Sequence, residues 1–173
     1  MKLIKELKDL EVTGKDIQKS KEDYRIRIAA RAVIIDDNKS IAILSTPKSK
    51  HYHHKLPGGG LEEGEDIKET LKREIKEEVG CEIEIVKEVG EIIEFKNEYN
   101  QKQTSYCFLA KLKGKIGKPN FTKEEKEAGY QVEWMSINQA IKLFQDNMPE
   151  DYTAKFIQLR DYNFLLEAKK LLK

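Results

Sequence analysis

The chain has 173 residues, enough for about one domain with a core of its own and too few for two. Lys and Arg number 32 and Asp and Glu 31, so 36% of residues are charged while the formal net charge is only +1. That balance excludes a bulk polycation working on nucleic acid, and any anionic ligand has to be held by local features.

Apolar residues, at 39%, fall below the globular average and charged residues exceed it, the composition of a highly soluble intracellular domain. The cysteines, Cys81 and Cys107, both read as strand interior. They suggest neither a disulfide framework nor a zinc site, and they fit a reducing cytoplasm. The first ten residues mix Lys, Glu and Asp with Leu and Ile, unlike the apolar core of a signal peptide. Nowhere do about 18 apolar residues run together, which argues against a membrane span.

In chain order, Leu3, Ile4, Leu7 and Leu10 recur at helical spacing and predict a short amphipathic helix over 2–10, followed by a polar connector to about residue 23. Ile26, Ile28, Ala30, Ala32 and Ile34 then alternate with Arg25, Arg27 and Arg31, predicting a strand over 24–37. A turn at 36–39 leads into a second strand over 40–44, making a hairpin. A loop rich in Lys and His reaches Leu56-Pro57-Gly58-Gly59-Gly60. The clearest helix spans 66–79 and is stopped by Gly80. Strands follow at about 82–96 and 102–112, joined by a turn at 97–100. Ser136 and Gln139 form a capping box that opens a helix over 137–146. Ile157, Phe164, Leu165, Ala168 and Leu171 predict a last helix. The order is mixed α/β, with strands around one central helix.

That central helix segregates its charges. At about 100° per residue, Glu74, Glu77 and Glu78 share one arc of about 100°, while Lys68, Lys72 and Lys76 lie largely on the far side. Neither Glu74 nor Glu78 has a cation three or four positions away. A helix shaped only for solubility interleaves signs, so these carboxylates need a cation from elsewhere. Clustered hard oxygens suit magnesium, manganese or calcium; the alternative is a solvated acidic face. The glycine run lets backbone approach a ligand closely, so a carbonyl such as that of Gly58 can point at a metal, although the same residues also make an ordinary turn.

From Gly59 the chain reads Gly, five residues, Glu65, seven residues, Arg73-Glu74-Ile75, Lys76, Glu77-Glu78, Val79, Gly80, Cys81. This resembles the signature of the Nudix hydrolases, G-x5-E-x7-R-E-U-x-E-E-x-G-U with U aliphatic. Every fixed position is met, and Cys81 at the last U is the sole departure, a small hydrophobe in place of an aliphatic. The resemblance implies a Nudix fold, an α/β/α sandwich with a central mixed β-sheet, over 24–173 including the C-terminal helices, with 1–23 as an N-terminal helix and connector.

The resemblance further implies cleavage of a diphosphate linkage by water in a nucleoside diphosphate joined to another moiety, with Mg2+ or Mn2+ as cofactor. Glu74 and Glu78 match the metal ligands, joined by the Gly58 carbonyl and by Glu77 as ligand or base. Glu65 matches a supporting residue paired with Arg73. Arg73 either orients the carboxylates or makes a surface pair with Glu77. A base is expected from a downstream loop, where 122–129 offers Glu127 first and Glu124 second; Glu125 is spaced from Thr122 as a capping box.

Substrate-binding candidates are Gly59, Gly60, Tyr99 and Arg31, the last either facing phosphates or solvent. Tyr106, Phe108 and Tyr130 are further candidates to stack on a base, although aromatics on strands usually pack in the core. His51, His53 and His54 lack the carboxylate or cysteine that would complete a metal site. The proline that marks ADP-ribose hydrolases is missing, Lys96 standing in its place, and Tyr99 lies near the tyrosine of dinucleoside polyphosphate hydrolases. This leans the substrate toward a nucleoside triphosphate or dinucleoside polyphosphate.

The rival readings are a catalytically silent Nudix-fold sensor of nucleotide or RNA, an isoprenoid diphosphate isomerase, and an assembly protein. The intact glutamates disfavour the first two. Exposure of Leu3, Leu7 and Leu10 would point to a homodimer.

Overall fold

The computed structural model describes residues 1–47 and 53–172, so His51 lies outside the described residues. In chain order the elements are β1 (Leu3–Lys8), α1 (Asp9–Thr13), β2 (Arg25–Ile35), β3 (Ser40–Ser45), β4 (His54–Lys55), α2 (Ile67–Glu78), β5 (Glu82–Lys96), a single 3₁₀ turn at Asn97–Tyr99, β6 (Gln101–Lys113), α3 (Lys123–Glu127), β7 (Gln131–Ser136), α4 (Ile137–Asp146) and α5 (Tyr152–Leu171).

The strands form one mixed sheet in the order β1-β5-β6-β2-β3-β4, with β7 on β3. Strand β2 runs parallel to β6 from Arg25 against Gln101 to Ile35 against Lys111. Its period of two sorts residues between two cores. Ala30, Ala32 and Ile34 face α2 with Leu71, Ile75 and Phe108; Val33 faces the other way, toward Phe144, Phe156, Phe164 and Leu165 of α4 and α5. The result is the expected α/β/α sandwich.

The amino terminus departs from expectation. Residues 3–8 are a strand, not a helix, paired in parallel with β5, and the helix α1 begins only at Asp9. The helical spacing of the leucines is overridden by the open edge of β5, where Gly90 leaves room for Ile4: a β-carbon on Gly90 would sit 2.6 Å from the Ile4 side chain. Leu7 is fully buried, while Leu3 and Leu10 stay exposed, so the three leucines do not make one apolar surface. Cys107 lies inside β6 as expected, whereas Cys81 is buried in the short link between α2 and β5. Among the described residues, no helix is long and apolar enough to cross a membrane.

Candidate active site

Helix α2 is placed by its ends. Asp66 accepts hydrogen bonds from the backbone N–H groups of Lys68 and Glu69, and its own N–H donates to the Glu69 carboxylate, completing a capping box. Gly80, at φ +73°, turns the chain out of the helix into β5. Residues 57–61 run beside β2 like an extra strand: Ala30 N–H donates to Gly59 O at 2.9 Å, Ala32 N–H to Pro57 O at 3.0 Å and Leu61 N–H to Ile28 O at 3.0 Å. The last two turns of α2 therefore face the glycine run.

The contacts between them are close. A β-carbon on Gly59 would lie 2.1 Å from Glu74 Oε1, and one on Gly58 would lie 2.1 Å from Ala30 O, so no other residue fits either position without displacement. Glu78, 3% exposed, accepts from Gly58 N–H at 2.7 Å on one oxygen and from Lys55 Nζ at 2.8 Å on the other. The Glu74 carboxyl is pushed above the usual carboxylate range by burial and by the neighbouring Glu78 charge.

Arg73 ties the outer side together. Its Nε donates to Glu65 Oε1 at 2.6 Å and its Nη2 to Glu65 Oε2 at 3.0 Å, a bidentate pair. Its Nη1 donates to Glu74 Oε1 at 2.9 Å and, at 3.5 Å, to Glu77 Oε2. The i,i+4 pair with Glu77 thus exists, but it is the longest of these contacts. Thr70 adds a hydroxyl to Glu65 at 2.8 Å, and this set of donors pulls the Glu65 carboxyl down to about 2.

Three further candidates have these surroundings. The Gly58 carbonyl accepts from the Arg31 guanidinium, while it is the Gly58 N–H that faces the carboxylates. Arg31 is only 6% exposed, which removes the solvent-facing alternative; burial and the charge of Arg160 push its guanidinium down to about 10. Tyr99 projects from the β5–β6 turn, edge-on to Tyr152 with ring centroids 5.2 Å apart.

Glu124 and Glu127 are exposed on α3, and no hydrogen bond or ion pair joins them to the α2 carboxylates among the described residues. Glu125 completes a capping box with Thr122, as its spacing predicts. The α3 segment reaches the site through Tyr130, whose ring lies 4.8 Å from Lys55 Nζ, and through Asn120, whose N–H donates to Glu77 O at 2.7 Å. Tyr106 and Phe108 belong to the α2-side core. His54 is buried in β4 with its ring 6.2 Å from that of Phe144, and His53 hydrogen-bonds Thr46.

Sequence reasoning missed two cations. Lys55 is the outside partner that Glu78 needed, brought from 23 positions upstream by β4. Arg27 lays its guanidinium beside Gly60, where a β-carbon would be 3.2 Å from Nη2. The first carries no signal beyond its closeness to the glycines, and the second is visible only as one arginine among three on β2. Among the described residues, no three Asp, Glu, His or Cys side chains converge as a ready metal cluster; the carboxylates instead lean on Lys55 and Arg73.

The family model for the NUDIX domain matches residues 25–157, most of the chain. The chain belongs to the Nudix family of pyrophosphohydrolases. Solved Nudix structures share the fold at low identity. A MutT protein from Methanosarcina mazei Go1 superposes with a TM-score of 0.60 at 19% identity, covering 89% of this chain and 100% of that one. A NUDIX hydrolase from Nitrosomonas europaea gives 0.60 at 18%, covering 80% and 88%. An ADP-ribose pyrophosphatase from Streptococcus suis gives 0.52 at 23%, covering 83% and 92%. No curated protein sequence matches the chain.

Proposed function

We propose that this Nudix domain is a divalent-metal-dependent hydrolase of the diphosphate linkage in a nucleoside diphosphate derivative. The observation that carries the reading is the packing of Glu74 and Glu78 against the glycine run, with Glu74 on the α-carbon of Gly59 and Glu78 on the N–H of Gly58. The donor set fits a hard cation. Burial and the Glu78 charge raise the proton affinity of Glu74, and Lys55 and Arg73 supply the positive charge beside the two carboxylates. Glu74 and Glu78, with Glu77, would hold Mg2+ or Mn2+, the Gly58 carbonyl being a further oxygen once Arg31 releases it. Such an ion supplies charge neutralisation on the phosphates and acidifies the attacking water.

The chain's own groups do the rest. Arg73 fixes Glu74 through a hydrogen bond while Glu65 fixes Arg73, so the carboxylate is oriented from behind. Water attacks one phosphorus, the bridging P–O bond breaks, and each product leaves with phosphate. The proton passes to a carboxylate: Glu77, on α2 itself with 47% of its side chain exposed, is one candidate, and Glu127 and then Glu124 are the alternatives from α3. Arg31 and the backbone of Gly59 and Gly60 meet the phosphates, and Tyr99 offers an exposed ring to a base. We place the substrate among nucleoside triphosphates and dinucleoside polyphosphates and the protein, with both thiols free and buried, in the cytoplasm.

The test is incubation of purified protein with a nucleotide panel and either Mg2+ or a chelator, with products identified by chromatography. The reading predicts two phosphate-bearing products that appear only with the metal. Nucleotide binding without cleavage across the panel would instead favour a sensor.

A further inference from the structure

Helix α5 begins inside the recognised family span and runs on past its end. Two of its residues, Arg160 and Asp161, are charged yet 1% and 0% exposed, and both lie beyond residue 157, where the family match ends. Asp161 Oδ2 accepts from the backbone N–H of Leu56 at 2.8 Å, across 105 residues of chain. Its Oδ1 accepts from Arg160 Nε at 2.7 Å, and Arg160 Nη1 reaches Glu94 Oε2 at 3.4 Å. Glu94 is held in turn by Gln103 at 2.8 Å, Ser105 at 3.1 Å and Lys96 at 2.9 Å. A string of ionic groups therefore runs from the middle of the sheet, through α5, to one peptide N–H.

That N–H has a particular place. Leu56 stands between Lys55 and Gly58, the two residues that hold the oxygens of Glu78. Pinning the Leu56 peptide sets the direction in which the Lys55 side chain leaves and the height at which Gly58 N–H meets the carboxylate. The surroundings on this side of the sheet are apolar, with Phe156, Phe164 and Leu165 on the same helix. An aliphatic residue in place of Asp161 would fill such a space but leave the buried Leu56 N–H and the Arg160 guanidinium without that acceptor. Packing alone therefore does not account for an ionic pair here. A fixed orientation does.

We propose that Asp161, braced by Arg160, is a positioning residue of the active site, and that α5 belongs to its framework. The hydrolytic part of this claim rests on the function proposed above; the positioning part does not. Two readouts separate them. Hydrogen exchange of the full-length protein, read on peptides spanning 56–61, reports loop order without any substrate. Kinetics with the substrate found in the nucleotide panel report catalysis. Asp161→Ala is expected to speed exchange selectively in 56–61 and to lower kcat by about 10- to 100-fold, the range for removing a partner behind a ligand, with KM changed little.

Gln158→Ala is the control for mere destabilisation: Gln158 is buried one turn earlier and donates to Phe144 O, whereas Asp161 is the group that holds Leu56 N–H. It should lower Tm yet leave exchange in 56–61 and kcat as in wild type. Asp161→Asn keeps the shape and one acceptor oxygen but loses the charge that braces Arg160, so an intermediate loss is expected; it also decides the matter if Asp161→Ala fails to fold. Wild-type loop exchange in Asp161→Asn, or in Asp161→Ala once Tm loss is matched to Gln158→Ala, overturns the proposal. If wild-type protein cleaves no nucleotide while Asp161→Ala still loosens 56–61, positioning stands and the hydrolase reading falls.

Discussion

Glu78 condenses the chemistry at the scale of one residue. Its two oxygens are taken by a backbone N–H and by Lys55, a buried charge kept only because it is paired. Lys55→Met should therefore destabilise the metal-free protein by about 3 kcal/mol, the cost of stranding a buried carboxylate. Magnesium should recover most of that loss, giving a larger rise in Tm than in wild type; thermal melts with and without the ion check this. Gly59→Ala drives a methyl group into the Glu74 carboxylate, where 2.1 Å is available. A kcat reduction of about 100-fold is expected from such misplacement of a site group, with Tm nearly kept because the clash is relieved by turning Glu74 aside. Glu65 gives a pH signature. Its Arg73 pair lowers the carboxyl to about 2 from 4.5, so the associated stability is fully present above about pH 4.5 and is lost as pH falls toward 2. An NMR titration should find that depressed value in wild type and a normal one in Arg73→Ala, and Glu65→Gln should flatten this part of the acid-unfolding profile.

At the scale of elements, α2 was readable because its signals are local. Asp66 and Glu69 at the start, Gly80 at the end and the apolar line of Leu71 and Ile75 all sit within one short stretch, and the structure uses each of them. Asp66→Ala should cost about 1 kcal/mol, the usual worth of an N-cap, measurable by urea unfolding without loss of activity at 25 °C. Helix α4 was legible for the same reason, through the Ser136–Gln139 box. Strand β1 was not. Leu3, Ile4, Leu7 and Leu10 carry a helical period, and only the distant edge of β5 and the space at Gly90 turn that segment into a strand. Conversely, long β5 and β6 were visible through runs of apolar residues, although the two register shifts near Lys87 and Gly90 that bend β5 left no mark.

At the scale of the whole molecule, the near-zero net charge hides a strong internal sorting. The acidic arc of α2 was plain in the sequence together with the glycines that face it, since both lie within one motif. The groups that complete it were not: the cation Lys55 arrives by β4, and the Asp161 carboxylate reaches the same loop from the last helix. Tertiary pairing of this kind leaves no periodic trace, so the sequence names the carboxylates and the fold names what holds them. The arginines of β2 show the same limit, Arg31 being buried under Gly58 where alternation left it free to face solvent.

The central claim is that the Glu74 and Glu78 corner binds a divalent metal and hydrolyses a diphosphate bond. The most direct measurement is turnover by wild type and Glu78→Gln of the best nucleotide in the panel, at saturating Mg2+ and with products followed by phosphorus NMR. The account predicts cleavage into two phosphate-bearing products by wild type and a loss of about 100-fold or more in kcat for Glu78→Gln, as for removal of a group that stabilises the transition state. Equal turnover by the two proteins would contradict it.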